Sequence, residues 1–181
     1  TFVVSGTALA TCQLYPPASF TNRTTADGLG SDLVRSVYAK GSTVYAATDS
    51  GLSISTDGGS SFSNKTTSDG LGSDTVYGVY VDGSTVYAAT DGGLSISTDG
   101  GSNFSNKTIA NGLGNDKVYS IYAEGSTVYA GTGGGGLSIS TDGGSSFSSK
   151  TTANGLGNNF VYGIYAEGST VYAATGGGLS I

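Results

Sequence analysis

The chain has no histidine, tryptophan or methionine, one cysteine, two prolines and only seven basic residues among 181. Each shortage excludes something. Without histidine there is no Ser-His-Asp or Cys-His arrangement, and the commonest general base and metal ligand is missing. The lone Cys12 permits no internal disulfide and, with no Cys or His beside it, no zinc site; it is expected to be a small buried hydrophobe. Seven scattered Lys and Arg against thirteen acids give a formal net charge of -6, so nucleic acid is a poor partner, because backbone binding needs clustered cations. No apolar run approaches the roughly 18 residues that a membrane-spanning helix needs.

Charged residues make up 11% of the chain, which is not the high-charge signature of disorder. With 36% hydrophobic content over this length, one core and a single domain are expected. Leu9-Ala10-Thr11-Cys12, after the apolar Phe2-Val3-Val4, loosely resembles a lipoprotein cleavage site, but Thr before the Cys fits poorly and lipidation is not expected.

Glycine, at 32 residues, is what the chain has in abundance, and it punctuates a repeat. Phe20, Phe62, Phe104 and Phe147 begin corresponding units spaced 42, 42 and 43 residues apart, with the extra residue a Gly in GTGGGGL. Within a unit, β-branched and aromatic residues cluster in short runs bounded by Gly, Asp or Ser. In the second unit these are VYGVYV, STVYAAT, GLSIST and a run through FSNKT. The connections are too short for crossover helices, so the runs are read as four strands of an antiparallel meander.

Period and strand count predict an all-β chain, a β-propeller of four-stranded antiparallel blades with four repeats visible. In such a fold both faces of a blade are buried by its neighbours. That explains the small Ala88, Ala89, Ser95 and Ser97 interleaved with Val86, Tyr87, Leu94 and Ile96. Residues 18–181 would be the propeller and residues 1–17, set off by Pro16-Pro17, a strand-like N-terminal extension. The last repeat stops after three strands at Leu179-Ser180-Ile181, while Ala18 to Thr24 reads as a fourth strand with no blade of its own. Joined, these would close a four-bladed ring; the other reading is an arc of a larger ring.

The turn ISTDGGSSF at Ile54 to Phe62 returns at Ile96 and Ile139. Its Ser55, Asp57, Gly59 and Phe62, then Ser97, Asp99, Gly101 and Phe104, then Ser140, Asp142, Gly144 and Phe147, resemble the Asp-box of the sialidase-like (BNR-type) propellers, with Phe in place of the usual Trp. The resemblance implies a structural box lying away from any catalytic face. The residues alone say the same: the carboxylate can accept backbone N–H groups and Gly supplies positive φ. A sialidase would also need an arginine trio, and Arg23 and Arg35 are the only arginines. Other glycosidases of this resemblance use an acid and base pair, which near-identical repeats are poorly arranged to supply.

The long loops between blades and the turns between second and third strands carry Asp27, Asp32, Asp49, Asp69, Asp74, Asp91 and Asp116 toward one face. Asp32, Asp74 and Asp116, with Asn159 in the fourth position, could ring a channel mouth and hold a hydrated Ca²⁺; the alternative is that each caps its own loop. Asn22, Asn64, Asn103 and Asn106 stand in glycosylation acceptor sequences. Twelve tyrosines could stack on sugars. Together these features predict no catalysis. They point to a secreted or cell-surface scaffold whose partner is itself, as an oligomer or filament assembled through the N-terminal segment, or else a surface protein or glycan. The alternative is a lectin-like propeller or a glycoside hydrolase module.

Overall fold

The structure is a computed structural model and describes residues 19–181. The lipoprotein-like stretch, Cys12 and the N-terminal extension therefore lie outside the described residues. Fifteen strands form four antiparallel sheets in chain order. The first sheet holds β1 (Val34–Lys40), β2 (Thr43–Thr48), β3 (Gly51–Ser55) and β4 (Ser63–Lys65). The second holds β5 (Val76–Asp82), β6 (Thr85–Thr90), β7 (Gly93–Ser97) and β8 (Ser105–Lys107), and the third holds β9 (Val118–Glu124), β10 (Thr127–Thr132), β11 (Leu137–Ser140) and β12 (Ser148–Lys150). The last holds β13 (Val161–Glu167), β14 (Thr170–Thr175) and β15 (Gly178–Ser180).

These sheets are the blades of a propeller-type fold. Successive first strands contact one another, so β1, β5, β9 and β13 line the inner side of the arc and the fourth strands its rim. Blade packing is apolar: Tyr45, Ala47, Leu52 and Ile54 of the first sheet lie against Val76, Val79, Val81 and Val86 of the second. Tyr87, Ala89, Leu94 and Ile96 of the second repeat the pattern on Val118, Ala123 and Val128 of the third. β7 is buried along its whole length, on both faces, which a single open sheet would not show. Short side chains permit this approach: Ala88, Ala89 and Ser95 are fully buried.

Three features depart from expectation. The fourth strands are only three residues long, because the aromatic that precedes each one belongs to the turn. A register shift lies within β1, β5, β9 and β13, where one residue is left unpaired as a bulge. Finally, the expected closure by the strand at Ala18 to Thr24 is not found among the described residues. Residues 19–24 carry no strand, Phe20 is fully exposed, and β15 pairs only with β14. Among the described residues the arc is open, residues 19–24 having no strand beside them to pair with.

Candidate functional site

The repeated turn is built around one carboxylate. Asp57 Oδ1 accepts from Ser55 Oγ at 2.7 Å, Ser60 N–H at 2.9 Å and Ser61 N–H at 3.0 Å, and Oδ2 accepts from Ser61 Oγ at 2.7 Å. Asp99 takes the same set from Ser97, Ser102 and Asn103, and Asp142 from Ser140, Ser145 and Ser146. Ser55 Oγ in turn accepts from Gly59 N–H at 2.8 Å, with Gly59 at φ 86°. Three donors thus converge on one oxygen and a fourth holds the other. Bonds from Ser61, Ser97 and Ser146 respectively lead in holding Asp57, Asp99 and Asp142 well below the usual carboxylate range. The aromatic of each turn, Phe62, Phe104 or Phe147, bonds through its N–H to the loop that precedes its blade.

Asp32, Asp74, Asp116 and Asn159 are not brought together as a ligand ring. Each reaches back seven residues in its own loop to accept a backbone N–H, from Thr25, Thr67, Ile109 and Thr152, at 2.7 to 2.8 Å. These N–H groups open four 3₁₀ turns, each with a reciprocal capping box: Thr24 with Asp27, Thr66 with Asp69, Thr108 with Asn111, and Thr151 with Asn154. Among the described residues, no three Asp, Glu, Cys or His gather to hold a metal. The other acids of that face sit in ion pairs, Asp27 with Arg23, Asp69 with Lys65, Asp49 with Arg35 and Asp91 with Lys117. The sequence signal for the boxes, T-x-x-D or T-x-x-N before Gly, was present and passed over.

The bulged residues of the inner strands form a feature that sequence reasoning missed. Arg35, Tyr77, Tyr119 and Tyr162 stand at matched positions and run as a strip across all four blades. The Arg35 guanidinium lies 5.2 Å from the Tyr77 ring centre, Tyr77 and Tyr119 are 5.2 Å apart, and Tyr119 and Tyr162 are 5.4 Å apart. Lys117 Nζ sits 5.5 Å from the Tyr77 centroid and 2.7 Å from Asp91, which also accepts from Tyr77 Oη at 3.0 Å. That contact raises the Lys117 ammonium and lowers Asp91. Arg35, Tyr77, Tyr119 and Tyr162 line, with Ser120, a cavity of about 250 Å³, and the Ser120 Oγ is buried without a partner. Such a strip can stack on flat faces and bond to hydroxyls.

A second tyrosine row, Tyr38, Tyr80, Tyr122 and Tyr165, runs parallel to it at 5.3 to 5.5 Å spacing. Of the glycosylation acceptors, Asn64 and Asn106 spend their amides on hairpin bonds, to Ser50 O at 2.6 Å and Gly92 O at 2.7 Å.

Solved structures resemble this fold. An ancestral GH74 enzyme superposes with TM-score 0.64 at 22% identity, covering 81% of this chain and 22% of its own. The extracellular domain of BT3049 from B. thetaiotaomicron, assigned to the hybrid two-component systems, gives 0.70 at 20%, covering 83% and 22%. The computationally designed Ika4 protein gives 0.60 at 12%, covering 81% and 88%. The chain thus spans about a fifth of the length of the first two. No protein-family model matches it, and no curated protein matches it in sequence. No helix among the described residues is long and apolar enough to cross a membrane.

Proposed function

We propose that the chain is a non-catalytic, exported repeat scaffold built on Asp-box turns, which acts by association, with itself first of all. The carrying observation is that Asp57, Asp99 and Asp142 each accept from four donors of their own turn, three on Oδ1 and one on Oδ2, so each carboxylate is committed to holding its turn. Their equivalence argues in the same direction, because turnover needs an acid and a base in unequal surroundings. Two neighbours bear on the reading: BT3049 is named as an extracellular domain, which agrees with export, whereas the GH74 enzyme marks the alternative.

A second reading has its own observation. The Tyr77, Tyr119 and Tyr162 strip, flanked by Arg35 and Lys117 over the unpartnered Ser120 Oγ, has the makings of a glycan-binding surface. One experiment separates the two. Incubation with xyloglucan and other β-glucans, followed by a reducing-end assay and calorimetry, is expected to show neither hydrolysis nor binding. Hydrolysis contradicts the scaffold reading; saturable binding that Tyr119→Ala abolishes selects the glycan reading.

A further inference from the structure

Two matched grooves lie between the acidic turns of neighbouring blades, and a single exchange in the repeat makes them differ. The first, between the first and second blades, is lined by Ile54, Thr56, Ser63, Lys65, Gly101 and Ser102. The second lies one repeat on, between the second and third blades, with Ile96, Thr98, Ser105, Lys107, Gly144 and Ser145 at the matched positions. Both lie between blades that hold their full four strands, so neither depends on how the arc ends. Their volumes are about 250 Å³ and about 370 Å³.

The lysines set the two apart. Lys65 Nζ donates to the Ser102 carbonyl of the next blade's turn at 3.1 Å and to Asp69 Oδ1 at 3.3 Å. It thereby spans the first groove with its charge already matched. At the position of Asp69 the next repeat has Asn111, and among the described residues Lys107 forms no ion pair. The exchange leaves the loop intact, because Asn111 Oδ1 accepts Thr108 N–H at 3.0 Å just as Asp69 Oδ2 accepts Thr66 N–H at 2.9 Å. Its effect is therefore on the lysine, whose ammonium is left for an anion from outside the chain. Asp99 also lines the second groove, but its carboxylate is held by Ser97, Ser102 and Asn103 of its own turn.

The lining indicates what that anion is attached to. Beside the one cation stand the hydroxyl residues Thr98, Ser105 and Ser145, with Ile96 as the aliphatic contribution. Hydroxyls that both donate and accept suit a polyol, and a lone ammonium suits one carboxylate. A peptide would instead need a length of main chain to pair with, and the strand at the groove, β8, has three residues. We propose that the groove between the second and third blades binds a uronic acid residue of an acidic polysaccharide, with the carboxylate on Lys107 and the sugar hydroxyls on Thr98, Ser105 and Ser145. A chain of net charge -6 has no general attraction for anions, so the affinity is local to this groove. The site is separate from the tyrosine strip, and the proposal rests on neither reading of the function given above.

Calorimetric titration of the full chain with a short oligogalacturonate at low ionic strength tests it. Saturable heat is expected, and the methyl ester of the same oligosaccharide, which keeps the sugar and removes the charge, should give none. Lys107→Gln and Asn111→Asp should each weaken binding about tenfold or more. The second of these rebuilds the pair that Lys65 makes with Asp69, in a capping box that already accepts Asp, and circular dichroism verifies that both variants fold. Lys65→Gln, in the groove whose charge is matched, should leave binding unchanged. No heat with the oligogalacturonate, equal binding of the methyl ester, or binding indifferent to both Lys107→Gln and Asn111→Asp overturns the site. An oligoglutamate that competes as well as the sugar would show charge attraction alone and overturn the uronate assignment.

Discussion

Replacing a turn carboxylate by its amide keeps the size of Asp57, Asp99 or Asp142 but turns an NH₂ against donors that now lack an acceptor. Asp99→Asn is therefore expected to lower the melting temperature by several degrees, followed by circular dichroism, whereas a comparable change at a carboxylate outside the turns would not. The pH dependence has a definite sign. These carboxylates are held below their unfolded value of about 3.9, so the stability they contribute is complete above that pH and is lost as pH falls toward the folded value. The triple variant Asp57→Asn, Asp99→Asn, Asp142→Asn should be less stable at neutral pH and lose less on acidification from about pH 5 to about pH 2. A triple variant as acid-sensitive as the native chain would contradict the assignment. The turn was legible in the letters because every bond to its carboxylate is local, within four residues. For Asp32, Asp74 and Asp116 the letters left ring and cap both open, because the repeat fixes where their backbone lies but not where the side chain turns; each turns back to cap its own loop.

At the scale of elements, the strands were legible from β-branched clustering and turn residues, and both-faced burial from the small residues of β6 and β7. The inner-strand bulges were not, since Val76, Tyr77 and Val79 all favour a strand and nothing in the letters marks the unpaired residue. The strip of Arg35, Tyr77, Tyr119 and Tyr162 went unseen for the same reason. Loop and blade are locked where Gly112 lies against the Phe147 carbonyl. Gly112→Ala and Gly155→Ala both place alanine at a left-handed φ, 91° and 97°, at about 1–2 kcal/mol each. Only Gly112 adds a collision with backbone inside the chain. Denaturant unfolding should show Gly112→Ala the more destabilised by at least about 1 kcal/mol. Equal losses would mean that the loop is not docked on the turn.

For the molecule as a whole, period and strand count were enough to give a propeller-type arc, but not its closure, because that depends on where residues 19–24 go and the repeat is equally consistent with either destination. The central claim is that each repeat buries a face of its sheet against the next, with the acidic turn as a staple. Ile54 Cδ1 lies 2.6 Å from where a Cβ on Gly101 would stand, and Ile96 Cδ1 2.5 Å from the same point on Gly144. These contacts join consecutive repeats and belong to no single sheet. The most direct measurement is therefore the nuclear Overhauser spectrum of the methyl-labelled chain. The account predicts cross-peaks from the Ile54 and Ile96 δ1 methyls to the α protons of Gly101 and Gly144 respectively. Intact cross-strand peaks within each sheet, with both of these missing, would contradict it.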